Sequence, residues 1–279
     1  MKVVVGGLIH NRPQVEAYLR HLRRLETADH EVEWVFVLDG IDWNDQRHQD
    51  LPWPASANLL FDGMDEGERP WSRRETQKPG CFAHLARLRN ALREEVLDRG
   101  ADGLLNVDSD IIVPSDLLLR LTNAGHPWVS ALVRNRPGDK RVWNVLKVSE
   151  REGQPTWAHF PAIGNGPHGT CWPGPGGAGR DPAEPGGGRS LVVGAVCWYS
   201  SELLEKVPFA AHQHGEDWGF GMEALRQGYE GWYLPIRCEH LMYADAQDAK
   251  EHMADHIRKV EDVGEFLLDE HVARCEICR

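Results

Sequence analysis

Apolar residues follow two rhythms in the first half of the chain. Val3 to Leu8 is a short, unbroken apolar run of the kind that forms a buried strand. Val15, Tyr18, Leu19, Leu22 and Leu25 then recur at helical spacing, with Pro13 placed as a first helical residue and Asn11 as a nearby cap. EVEWVFVLDG (31–40) reads as a second strand closed by Asp39-Gly40, and ANLLF (57–61) as a short third one. Phe82, Leu85, Leu88, Leu92 and Val96 predict a helix ending near Gly100, and GLLNV (103–107) predicts the strand after it. Strands that are apolar throughout, alternating with amphipathic helices, imply an α/β fold. It should have a mostly parallel sheet and helices on both faces. Ligands bind such sheets at the carboxyl ends of the strands. Asp39, Asp108 and Asp110 all lie at such ends.

The second half is less regular. Ser115 is placed to cap a helix over 116–123 that stops at Gly125, and WVSALVR (128–134) and WNVLKV (143–148) read as strands. Residues 161–189 hold ten Gly and six Pro without periodicity, which predicts a long loop, functional or disordered. SLVVGAVCWYS (190–200) and GWYLPIRCEH (231–240) return to strand character. From Ala244 on, Ile257, Val260, Val263, Phe266 and Leu267 predict a polar helical tail that packs back on the domain. The expected organisation is one domain over 1–243 and a helical extension over 244–279.

Composition narrows the function. A chain of 279 residues with 41% hydrophobic and 27% charged residues is an ordinary globular one. Its formal net charge of -12 argues against a broad nucleic-acid-binding face, which needs concentrated Lys and Arg. A protein this negative needs a local remedy, such as a metal ion, to handle a phosphorylated ligand. MKVVVGGLIHNRPQ is interrupted too early for a signal peptide, and no stretch has the roughly 18 apolar residues of a membrane helix. The expected location is the cytoplasm, with the six cysteines reduced there. Cys275 and Cys278 form a CxxC with no second pair to complete a zinc site.

Candidate chemistry gathers in two places. In LLNVDSDIIVP (104–114), Asp108 and Asp110 end an apolar strand, where carboxylates are either solvated or paired with a cation. Hard oxygen ligands suit Mg²⁺ or Mn²⁺, which keep positions open for substrate phosphates. In HGEDWGFGMEALRQGYEGWYLPIRCEH (214–240), Glu216 and Asp217 precede a helix expected over Phe220 to Gln227 that ends at Gly228. The helix dipole favours acidic residues there in any case, but one of the pair could serve as a general base. His240, just after a strand, could be a packed histidine or a metal ligand. Trp218 adjoins the acidic pair and could stack on a sugar ring or fill a core.

The order of these motifs resembles the nucleotide-sugar glycosyltransferases of the GT-A fold, family 2 in particular. Ile9-His10-Asn11-Arg12 matches the turn after their first strand, and Asp39 the acid at the end of their second. Leu88-Arg89-Asn90 is similar to their A-R-N helix, Asp108-Ser109-Asp110 to their D-x-D, and Glu216-Asp217 to their E-D. Gly228-Tyr229 and His240 match their later G-Y and histidine. The resemblance spans roughly residues 1–243. It implies a sugar moved from a nucleoside-diphosphate sugar to a hydroxyl acceptor, small molecule, glycan or polypeptide, with a divalent cation (Mn²⁺ or Mg²⁺) as cofactor. It further implies donor contacts from Asn11, Arg12, Asp39, Arg89, Asn90 and Asp108, and metal held by Asp108, Asp110 and His240. Asp217 would be the base of an inverting reaction, Glu216 its alternate, and Trp218 an acceptor contact. Two rivals remain at this point: a haloacid dehalogenase-like phosphatase, whose D-x-D carries a nucleophile, and a non-catalytic carbohydrate-binding protein on the same fold.

Overall fold

The computed structural model describes residues 1–10, 14–39, 41, 44, 46–61, 79–133, 145–151, 154–159, 188–189, 191–192, 194–212 and 215–241. Asn11, Arg12, most of the 161–189 segment, the 244–279 tail and Cys275/Cys278 lie outside these residues.

The first half follows its apolar rhythm closely. β1 (Lys2–His10), β2 (Glu31–Asp39), β3 (Asn58–Phe61) and β4 (Gly103–Val107) pair in parallel in the order β3-β2-β1-β4. Alternate residues of β1 point to opposite faces, so Val3, Val5 and Ile9 enter one core cluster and Val4 and Leu8 the other. The first cluster is closed by α1 (Val15–Leu22) and α4 (Leu117–Thr122), which contribute Tyr18, Leu19, Leu22, Leu117 and Leu121. The second is closed by α3 (Pro79–Asp98), α5 (Ser201–Lys206) and α6 (Glu216–Arg226), through Leu88, Leu92, Leu203, Leu204 and Phe220. Helices therefore cover both faces, as expected. A four-residue turn of helix, α2 (Gln46–Gln49), lies between β2 and β3. The strands of the parallel core sit very close: a Cβ on Gly6 would lie 1.7 Å from the Val35 carbonyl oxygen.

Beyond β4 the sheet becomes mixed. β11 (Val196–Ser200) runs antiparallel between β4 and β6 (Trp128–Val133), and β12 (Trp232–His240) returns parallel to β6. β5 (Ile111–Ile112) pairs antiparallel with the end of β12. The closing part of the expected 161–189 loop instead supplies β9 (Gly188–Arg189), antiparallel to the start of β12. A separate sheet holds β7 (Val145–Arg151), β8 (Gln154–His159) and β10 (Leu191–Val192).

Two expectations are corrected. The strand expected over 190–200 is divided between the two sheets, because residues 194 and 195 spend their backbone groups elsewhere. Gly194 N–H reaches the Asp217 carboxylate, Gly194 C=O accepts from Asn106, and Ala195 C=O accepts from Asp108 N–H. Ser115 does not cap α4. Its hydroxyl donates to Glu26 at 2.8 Å and its carbonyl accepts from Glu26 N–H, so it ties two loops together, and Asp116 precedes the helix.

Candidate functional site

The parallel strands β1, β2 and β4 end along one edge of the sheet, and β12, which runs with them, ends there too. That edge carries His10, Asp39, Asp108 and His240. His10 and Asp39 are register partners at the ends of β1 and β2. Asp39 is 4% exposed. Its Oδ2 lies 2.8 Å from His10 Nδ1 and its Oδ1 3.1 Å from His84 Nε2. Burial works to raise the pKa of this carboxyl, but the hydrogen bonds from the two imidazoles prevail and hold it below the ordinary value. His84 Nδ1 faces the Arg87 guanidinium at 3.1 Å. Arginine has no acceptor, so Nδ1 accepts and Nε2–H donates to Asp39.

The D-x-D segment turns sharply after β4: Asp108 N–H bonds Ala195 C=O, and Ile111 N–H bonds Asp108 C=O. β5 then pairs Ile111 with His240, and Leu241 N–H bonds Asp110 C=O at 2.7 Å. This two-residue strand brings Asp110 to His240, with Oδ2 and Nε2 3.4 Å apart and both side chains partly exposed. Gln14, at the head of α1, secures the same corner by donating to Leu241 C=O at 3.1 Å. Asp108 sits differently. Its Oδ1 accepts from Arg89 Nη2 at 2.9 Å and faces Asn106 Nδ2 at 3.4 Å. Burial raises the Asp108 pKa, Arg89 opposes that, and the charges of Asp110 and Glu216 add to the rise.

α6 delivers the acidic pair from the other side. Gly215 before it has φ +132°, and a Cβ there would lie 2.6 Å from Asp217 Oδ1, so only glycine fits. Glu216 is 5% exposed and accepts from Arg89 Nε at 2.9 Å. Asp217 accepts from two backbone groups: Gly194 N–H to Oδ2 at 3.0 Å and Trp218 N–H to Oδ1 at 2.7 Å. Burial and the neighbouring Glu216 charge push its pKa up to about 7, against the pull of Arg89 and the two N–H groups. A carboxylate poised there can take a proton near neutral pH. The two acids thus differ: Glu216 has a guanidinium partner, whereas Asp217 does not. Trp218 is half-buried and stacks on His212, with centroids 5.9 Å apart and planes 15° from parallel.

Asp108, Asp110, Arg89, Glu216, Asp217 and His240 therefore converge, and Asp39 stands further along the same edge. Asn90 faces away: its amide donates to Phe209 C=O and accepts from Phe209 N–H, both at 2.9 Å. Among the described residues no three His, Cys, Asp or Glu side chains form a ready-made metal cage. Asp110 and His240 do fit a hard divalent ion that keeps water and phosphate ligands, and Asp108 is engaged by Arg89. Sequence reasoning missed Asn106, Gly194 and His84. Asn106 left a signal, a lone amide inside an otherwise apolar strand, whereas His84 left none.

No protein-family model matches the chain, and a comparison with curated proteins finds no match. Solved structures do match. One is S. aureus TarS 1-349 in complex with UDP-GlcNAc, at TM-score 0.50 and 13% identity over 90% of this chain and 61% of that one. S. aureus TarS 1-349 alone matches at TM-score 0.48 and 13% identity, over 86% of this chain and 60% of that one. A197 from STIV matches at TM-score 0.44 and 12% identity, covering 87% of each chain. This chain thus spans about three fifths of the TarS 1-349 structures it matches. Together with the strand order, the TarS complex shows the fold: a mixed α/β, Rossmann-like sheet of the GT-A type.

Proposed function

We propose that this chain is a nucleotide-sugar glycosyltransferase of the family 2 kind. In this reading it moves a sugar from a nucleoside-diphosphate sugar to a hydroxyl acceptor with inversion. The observation that carries the reading is Asp217, a carboxylate held by two backbone N–H groups with its pKa raised to about 7. It stands beside a strand-end carboxylate cluster on a GT-A-type sheet. The UDP-GlcNAc complex of TarS supports a donor of this chemical class. Asp217 accepts the acceptor's hydroxyl proton as the oxygen attacks the anomeric carbon. Glu216 is instead committed to an ion pair with Arg89, at 2.9 Å. Trp218 offers a half-buried ring next to the base for the acceptor. Asp39, gripped by two imidazoles, presents a fixed carboxylate to the donor's nucleoside end. Asp110 and His240 would hold the divalent cation, which as a Lewis acid neutralises the departing diphosphate.

The phosphatase alternative loses support at Asp108. Its Oδ1 is tied to Arg89, an arrangement that restrains a would-be nucleophile rather than freeing it.

Two measurements test the proposal. Calorimetry with UDP, GDP and CDP, with and without Mn²⁺, should find metal-dependent binding of one of them. Binding of none would refute it. Asp217→Asn should keep that affinity while transfer falls by roughly 10²–10⁴-fold, the usual contribution of a positioned base. Transfer at the wild-type rate would remove Asp217 from the mechanism.

A further inference from the structure

Arg89 lies at the centre of the site, yet its guanidinium faces protein. It is 6% exposed, and each of its nitrogens has a separate partner. Nε donates to Glu216 Oε1, Nη1 to Asn106 Oδ1 and Nη2 to Asp108 Oδ1, each at 2.9 Å. The fork therefore joins α6, the body of β4 and the turn that follows it. The connection continues past Asn106. Arginine only donates and a carbonyl only accepts, so the amide orientation is fixed, and Asn106 Nδ2 donates to Gly194 C=O at 3.2 Å. Gly194 N–H in turn donates to Asp217 Oδ2 at 3.0 Å. One unbroken path runs from the donor-side carboxylate Asp108 through Arg89, Asn106 and Gly194 to Asp217.

We infer that Arg89 is a positioning residue of the transfer reaction: it sets Asp108 and Asp217 in register, gripping Asp108 and Glu216 directly and Asp217 through Asn106 and Gly194. The inference rests on the glycosyltransferase reading and assigns Arg89 to the framework rather than to the donor. Chemistry favours arginine here. A planar guanidinium offers donors in fixed directions to separate acceptors, and the single ammonium of a lysine cannot span all three. The same cation offsets Asp108 and Glu216, so an apolar replacement would leave both carboxylates, buried Glu216 among them, without this counter-charge. Arg89→Lys keeps the charge and loses the geometry. Asn106→Ala keeps the charge on Arg89 and cuts the path to Gly194.

The experiment combines nucleoside-diphosphate affinity (UDP and GDP), steady-state release of UDP or GDP from a panel of UDP- and GDP-sugars, and amide hydrogen exchange. In Arg89→Lys, kcat should fall roughly 10²-fold, as when reacting groups lose alignment by an ångström or so. Nucleoside-diphosphate affinity and donor KM should change little. The amides of Gly194 and Trp218, which bond Asp217, should exchange faster while those of β1 and β2 keep their protection. Asn106→Ala should reproduce the exchange change at Gly194 and lower kcat in the same sense. Lost nucleoside-diphosphate affinity with kcat preserved would make Arg89 a donor ligand and overturn the inference. Wild-type kcat with unchanged protection at Gly194 and Trp218 would overturn it too. If the wild-type protein turns over none of the sugar nucleotides, the glycosyltransferase reading fails instead. The exchange data then still decide, because unchanged protection in Arg89→Lys shows that Arg89 does not hold Asp217.

Discussion

Asp217 and Asp39 show how a half-buried and a buried carboxylate come to respond oppositely to pH. Asp39 has two imidazole partners and a lowered pKa. It therefore favours the folded state above the unfolded-chain value and loses that contribution as the solution is acidified. Asp217 has a pKa raised from 3.8 to about 7. Between those values the folded protein holds a proton that the unfolded chain has already released. Stability from this group is complete below the lower value and lost as pH rises through the upper one. One such proton gives a slope of about 1.4 kcal/mol per pH unit. Urea unfolding of wild type between pH 5 and 7 should therefore show stability falling relative to Asp217→Asn by a slope of that size. Parallel curves would mean that Asp217 titrates as an ordinary acid. The same group has to be ionised to act as a base, so turnover should rise with pH through about 7. Stability and activity then draw on opposite protonation states of a single carboxyl.

At the scale of elements, the helix α3 divides its polar residues between tasks. Arg89 turns toward the strand ends, while its neighbour Asn90 binds both backbone groups of Phe209, whose ring stacks on Phe220 at 4.5 Å. Asn90→Ala should orphan those two groups and cost about 1–3 kcal/mol of stability, with UDP affinity unchanged. Denaturant unfolding and calorimetry on one sample check both halves, and lost affinity in a stably folded variant would return Asn90 to the donor site. This division was invisible in the L-R-N pattern, which places both residues in one motif without saying which face each takes. The parallel half of the sheet was legible because its strands are buried on both faces and read as unbroken apolar runs. β5 was not, since two residues carry no periodicity, yet this strand pairs Ile111 with His240 and so assembles Asp110 with its partner. The division of 190–200 was equally hidden, because its cause is a bond from Gly194 to a carboxylate 23 residues away. Chain-local patterns report strands and helices; the site depends on contacts between residues far apart in sequence.

For the molecule as a whole, charge sets the condition for binding. A chain with formal net charge -12 gathers Asp108, Asp110, Glu216 and Asp217 near the guanidinium of Arg89. The donor proposed for this edge is itself an anion, so repulsion works against it unless a cation intervenes. No helix among the described residues is long and apolar enough to cross a membrane. A ligand that binds the folded state alone stabilises it by about 2.7 kcal/mol at a hundred times its dissociation constant. In thermal melts, UDP with Mn²⁺ should raise Tm by several degrees beyond the effect of Mn²⁺ alone. UDP with a chelator should raise it little. Asp110→Asn and His240→Ala should each remove the increment that needs both ligands. The Asp39 side should be intact in both, so any residual metal-independent shift should survive. Equal shifts with Mn²⁺ and with chelator would show that the strand-end carboxylates tolerate the diphosphate without a metal, and Asp110 and His240 would then need another role.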